Sequence, residues 1–162
     1  VTPDIEIEQS YRTDFEMAVE RDGALFSFAV DYVNTHPDVG PDWRPDDEVL
    51  AEFGDFLAER ENIDEYLEVF ELSLGDSLLA ANRDFLEWGV RREVLRRTQG
   101  AEAAYRVAIE KDTQLHEALA LFDEADSLQD LLAVAIAWNE EEMARQEADS
   151  VAAASEETAG VD

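Results

Sequence analysis

Along the chain, apolar positions recur mostly at helical spacing. Thr13 followed by Glu16 is a capping-box pattern opening a helix, with Phe15, Val19, Phe26, Val30 and Val33 on one side. That helix should end near Thr35-His36-Pro37, because the residue before a proline is pushed out of the helical region. Three prolines and a glycine between Pro37 and Pro45 make a loop that carries Trp43. Asp46 is a candidate N-cap for a second helix whose stripe is Val49, Leu50, Phe53, Phe56 and Leu57. Residues 61–75, with Tyr66, Leu67, Phe70, Leu72 and Leu74, fit either a short helix or an extended connection stopped by Gly75. From Asp76 to Thr98 the pattern is one long helix turning Leu79, Leu86, Val90 and Val94 inward, ended by Gly100. Shorter helices follow with Tyr105 and Ile109, then Leu115, Leu119 and Phe122, then a start at Ser127 and Asp130 followed by Leu128, Leu131, Leu132, Ala135 and Ile136.

Two ends depart from this rhythm. In Val1-Thr2-Pro3-Asp4-Ile5-Glu6-Ile7-Glu8 the isoleucines alternate with glutamates, the period of a half-buried strand. A lone strand is not stable in water, and no later segment reads as its partner, so the sequence is expected to be part of a longer polypeptide. From about Asp149 the chain is Ala, Ser, Glu and Gly with valines as its only larger apolar residues, the composition of a disordered acidic tail. The expected fold is all-α: an irregular bundle of five or six helices over residues 10–148, preceded by one short strand over 1–9 and followed by the tail over 149–162.

Charge narrows the function. The 162 residues hold 41 Asp and Glu against 12 Lys and Arg, a net charge of −29. Such a surface repels nucleic acid and anionic lipid, and no apolar stretch reaches the roughly 20 residues of a membrane span. Cysteine is absent, which removes disulfides, thiolate metal sites and a cysteine nucleophile. Lys111 is the single lysine; the other cations are arginines. Extreme acidity with almost no lysine fits adaptation to high salt, and an acidic partner-binding surface is the competing explanation.

Candidate chemistry is sparse. No phosphate-binding or dinucleotide fingerprint is present, and His36 and His116 do not stand at metal spacing. His36 reads as a helix C-terminal cap and His116 as a surface residue. Asp38, Asp42, Asp46, Asp47 and Glu48 together could offer oxygens to calcium, but their spacing is not that of an EF-hand loop, and helix capping accounts for them more simply. Glu140-Glu141-Glu142 reads as a solvated helix face. Arg91, Arg92, Arg96 and Arg97 form one basic patch, suited to clamping a carboxylate or phosphate but more readily paired with neighbouring acids. No catalytic, cofactor-binding or metal residue is assigned, and no cofactor is expected.

Several segments resemble the carboxyl-terminal processing serine peptidases. Val1 to Ile7 looks like the strand that closes that family's catalytic domain. Gly23-Ala24-Leu25-Phe26-Ser27-Phe28-Ala29-Val30-Asp31-Tyr32 is similar to the aromatic-rich helix after it, and Asp46 to Leu57 to the next helix. Arg92-Glu93-Val94 through Gly100, then Tyr105, then Asp112 to Ala118, resemble the family's last helices. The resemblance covers roughly residues 1–125, in family order. It implies a parent serine endopeptidase of the cell envelope or periplasm, whose PDZ domain presents substrate tails and whose serine nucleophile and lysine base lie upstream of this strand. Lys111 matches no catalytic position, so the segment alone would be no enzyme. The implied role is a non-catalytic helical domain that supports the protease core or mediates self-association, with the upstream protease and PDZ domains as partners and a homo-oligomer as a further option. The alternative is a free-standing acidic helical domain that binds a basic partner.

Overall fold

A computed structural model describes residues 12–127, 129–140 and 143–144. These residues are helical wherever they are regular, with no strand among them, so the all-α class holds. The strand expected over residues 1–9 and the tail expected over 149–162 lie outside the described residues. The chain divides into two compact units, Tyr11–Lys111 and a second unit that includes everything from Asp112 onward.

The first unit holds seven helices: α1 (Asp14–Asp22), α2 (Ala24–Thr35), α3 (Asp47–Ala58), α4 (Ile63–Glu68), α5 (Asp76–Ala81), α6 (Arg83–Thr98) and α7 (Ala101–Ile109). The second unit contains α8 (Thr113–Asp123) and a further helical stretch over residues 129–140. The described residues thus hold more helices than the five or six expected, because two helices read as continuous are each broken.

The first break is at Gly23. It adopts φ 72°, ψ 22°, a left-handed conformation that glycine reaches without a Cβ penalty, and its N–H caps α1 on the Glu20 and Val19 carbonyls. The break resets the helical phase. Phe26, expected inward with Phe15 and Val19, is instead 58 % exposed, and the buried face of α2 is Ala24, Leu25, Phe28, Ala29 and Tyr32. The second break is at Asn82, which ends α5 and starts α6 and whose Nδ2 donates to the Leu78 carbonyl at 2.9 Å. The ambiguous stretch 61–75 resolves into the short α4, then a turn through Glu71 at φ 58°.

The helix α6 is the axis of the first unit and packs most extensively on α2 and α7. It buries Phe85, Leu86, Gly89, Val90, Glu93, Val94 and Leu95, an arc too wide for a surface helix. The same core takes Phe15 and Val19 from α1, Phe53 and Leu57 from α3, and Ile63 and Leu67 from α4. Ring contacts tie α2 to α3, with Phe28 edge-on to Phe53 at 5.1 Å and to Phe56 at 5.6 Å. Among the described residues no helix is long and apolar enough to cross a membrane.

Candidate functional site

The local caps sit where the sequence puts them. Thr13 Oγ1 accepts from the Glu16 N–H at 3.2 Å while Glu16 Oε2 accepts from the Thr13 N–H at 3.1 Å, a complete capping box. Asp46 Oδ1 accepts from the Val49 N–H at 3.0 Å and caps α3. Asp47 and Glu48 occupy the first turn of that helix, where its dipole favours negative charge, and Asp47 pairs with Arg83. Asp38 and Asp42 are exposed in the loop. Among the described residues no group of three His, Asp or Glu side chains could hold a metal ion.

His36 ends α2, its N–H donating to the Tyr32 carbonyl at 2.9 Å and its ring stacked on Tyr32 at 4.2 Å. His116 is exposed on α8, and Glu140 is exposed at the end of the 129–140 helix. Glu141 and Glu142 lie outside the described residues. The Lys111 ammonium donates to the Asp84 carbonyl at 2.9 Å and lies 5.8 Å from the Trp88 ring centre.

The arginines of α6 are the densest charge constellation. Arg91 Nη1 donates to both Glu110 oxygens, at 3.0 and 2.7 Å, and its Nε is buried with no acceptor. Arg92 Nε donates to Glu93 Oε1 at 3.0 Å, and its Nη2 stands 3.6 Å from Glu20 Oε1, close enough for an ion pair but not a hydrogen bond. Arg96 reaches Glu93 at 4.0 Å. Glu93 can stay 5 % exposed because these two guanidinium groups face it. Arg97 lies over the Phe26 ring at 4.3 Å, and among the described residues no carboxylate comes within ion-pair distance of it. The patch that a sequence reading offers as an anion clamp is therefore largely consumed by internal glutamates. The acids that consume it come from α1, from α6 itself and from the turn after α7.

A cleft of about 410 Å³ runs beside α6 and α7, walled by Pro41, Asp42, Arg91, Gln99, Glu102 and Arg106. Gln99 Nε2 donates to the Val39 carbonyl at 2.8 Å and ties the loop to the helix. Arg106 pairs with Glu102 at 2.7 Å, so both cations of the cleft already face a carboxylate. The first unit also carries a buried pair that spacing gave no sign of. Asp22 at the end of α1 has a side chain 1 % exposed and bonds through Oδ2 to Arg60, whose Nη2 also donates to the Asp22 carbonyl at 3.2 Å. Its Oδ1 is buried with no donor.

Large apolar side chains at the surface complete the inventory. Met17, Phe26, Val69 and Tyr105 are exposed in the first unit, and Leu119, Phe122, Leu132, Ile136 and Met143 in the second. Among the apolar residues that mark the short helices in the sequence, Tyr105, Leu119 and Phe122 are exposed, and α7 buries Ala104 and Val107 while α8 buries Leu121. Small side chains let α7 approach α6 closely, and the Tyr105 ring then falls on the far side. No protein-family model matches the chain, and neither the curated proteins nor the solved structures include one significantly similar to it.

Proposed function

We propose that the chain is a non-catalytic C-terminal helical module of a carboxyl-terminal processing serine peptidase, working in the cell envelope or periplasm. It supports the protease core or mediates self-association. The observation that carries this reading is Phe26. It lies inside the segment that resembles the family's aromatic-rich helix, it is 58 % exposed, and Arg97 holds its ring at 4.3 Å. A large ring fixed in place at the surface loses little conformational freedom on docking, as an interface anchor should. That segment opens at the break at Gly23, and two of the other resembling segments fall on the capped α3 and the arginine-rich end of α6.

The first test is the size of the native polypeptide on an immunoblot raised against this domain. A band far above 18.2 kDa is expected; a band at that mass with no larger precursor would overturn the reading. In the longer protein, Phe26→Ser should lower peptidase activity or shift the oligomeric state while this domain keeps its helicity. Normal activity and assembly after deletion of residues 10–162 would also sink it.

A further inference from the structure

The helix α2 is almost uncharged in a chain that is one-third charged. Its twelve residues include one charged side chain, Asp31, whereas 33 % of all residues are charged. Among the described residues no other helix has so low a share. A helix this apolar is normally buried round most of its surface. That is not so here. The inward arc of α2 is Ala24, Leu25, Phe28, Ala29 and Tyr32, while Phe26, Val30 and Val33 stand at i, i+4 and i+7 on a second face. Phe26 is 58 % exposed, and Val30 and Val33 are half-buried. Asp31 lies about 100° or more round the helix from each of the three, and the row's polar neighbours Ser27 and Asn34 are neutral.

One charged group does reach this row. Arg97, in the last turn of α6, lies 4.3 Å from the centre of the Phe26 ring, and among the described residues no carboxylate comes within ion-pair distance of it. A guanidinium over a ring is weakly hydrated and readily buried. The charges of Arg97 and Asp31 cancel, so α2 with the arginine over it is neutral on a chain of net charge −29.

We infer that the row Phe26, Val30 and Val33 is a contact between two copies of the chain, with α2 packed antiparallel on α2 of the second copy about a twofold axis at Val30. This contact rests on the reading of Phe26 as an interface anchor and names what the anchor meets. Charge selects the occupant. A basic partner would be drawn to the carboxylate-rich remainder of the surface and would gain nothing from a neutral row. A second copy is as acidic as the first, so it approaches with least repulsion where carboxylates are missing. Symmetry selects it too, because a twofold contact sets a patch against itself. An uncharged row of apolar side chains complements itself, and an acidic patch does not. With Val30 on the axis, Phe26 of each copy falls beside Val33 of the other, and the two Phe26 positions stand about 12 Å apart along the helices. The two Arg97 cations are thereby kept at opposite ends. A helix of twelve residues is about 18 Å long, so this contact alone buries less than the roughly 800 Å² per partner of a standard interface, and the dimer is weak.

The test is sedimentation equilibrium of the 162-residue chain from about 10 μM to about 1 mM, in about 0.1 M and about 1 M sodium chloride. A dimer with a Kd of about 100 μM is expected at the higher salt. It should loosen several-fold at the lower one, because salt screens the repulsion between two acidic copies and leaves the apolar contact intact. Phe26→Ser should weaken it about tenfold or more, since both rings are lost, with helicity unchanged because the ring is exposed. The chain has no cysteine, so Val30→Cys introduces a single thiol. Mild oxidation should link two copies through it, and should not link Asp31→Cys, which points away from the axis. A monomer at every concentration in both salts would overturn the inference and give the row to a neutral surface of another protein. A dimer unaffected by Phe26→Ser would overturn it as well, as would equal cross-linking of the two cysteine variants. So would a dimer that salt dissolves, which would place ion pairs at the contact. The size of the native polypeptide is an independent readout, so a monomer here would not touch the peptidase reading, and a band at 18.2 kDa there would not touch the dimer.

Discussion

A Cβ built on Gly89 would stand 2.8 Å from Leu25 Cδ1 and 3.0 Å from Cδ2, and Leu25 is itself buried between α2 and α6. Gly89→Ala should therefore destabilise the protein. Overpacking costs about 1–3 kcal/mol, against about 1 kcal/mol gained from alanine's helix propensity. Gly54 offers the matched contrast, since its Cβ would meet Leu79 Cδ1 at 2.9 Å but Leu79 is half-exposed and can swing aside. Gly54→Ala should be neutral or stabilising by up to about 1 kcal/mol, and urea denaturation of both variants gives the comparison. Arg60→Met strands the Asp22 carboxylate in the core with no partner for Oδ2, at a cost of about 3–5 kcal/mol. Adding Asp22→Leu to it should recover much of that loss; no recovery would mean the pair is not the cause. Tyr32 supplies a pH test. Burial, first, pushes its hydroxyl above the ordinary phenol value; Glu52, Asp46 and Glu48 push the same way, and a hydrogen bond with Trp43 opposes them. The folded state thus prefers the neutral phenol, so this contribution to stability is complete below pH ~10 and is lost as pH rises through the raised value. Tyr32→Phe should remove that part of the alkaline stability loss, together with a component of the phenolate absorbance that titrates above the ordinary phenol value.

At the scale of elements, the breaks between helices determine which side chains reach the core. Gly23 holds φ 72° with open space where a Cβ would go, so a substitution there is resisted by backbone conformation alone. Gly23→Ala should cost about 1–2 kcal/mol and Gly23→Asn clearly less, because asparagine visits the left-handed region more readily. Equal melting points for the two variants would contradict this account. The caps at Thr13, at Asp46 and at Ser127, whose Oγ accepts from the Asp130 N–H at 3.2 Å, were legible because a cap is a contact between residues three apart. The buried faces of α3 and α6 were legible as well, since their apolar arcs are long. The breaks at Gly23 and Asn82 were not, because apolar residues continue at helical spacing on both sides of each. Reading one helix through Gly23 carried the phase of Phe15 and Val19 forward and put Phe26 on the wrong face. The arginine patch was half legible: α6 shows four cations within seven residues, but that Glu20 and Glu110 engage Arg92 and Arg91 follows from packing of α6 against its neighbours. Asp22 and Arg60 gave no sequence signal, for an acid at a helix end and an arginine in a turn each look solvated until the chain folds.

For the whole molecule, a net charge of −29 over 18.2 kDa means that most carboxylates have no cation to pair with. Their mutual repulsion favours the expanded chain, in which they stand farther apart. Raising salt from about 0.1 M to about 1 M shortens the screening length from roughly 10 Å to roughly 3 Å, which removes most of the repulsion between exposed charges while leaving the buried Glu93 and Asp22 pairings largely intact. The melting temperature should therefore rise with sodium chloride, most steeply at low concentration. The shape of the curve separates two causes. If screening is the whole effect, sodium chloride and sodium sulfate at equal ionic strength give superimposable curves that flatten near 1 M, where the screening length is about 3 Å. If exclusion of salt from the surface also contributes, sulfate continues to raise the melting point beyond that plateau. A melting temperature that does not rise with either salt would remove salt adaptation as the reason for the acidity, because 29 unbalanced negative charges whose repulsion salt does not relieve cannot be what salt is there to screen.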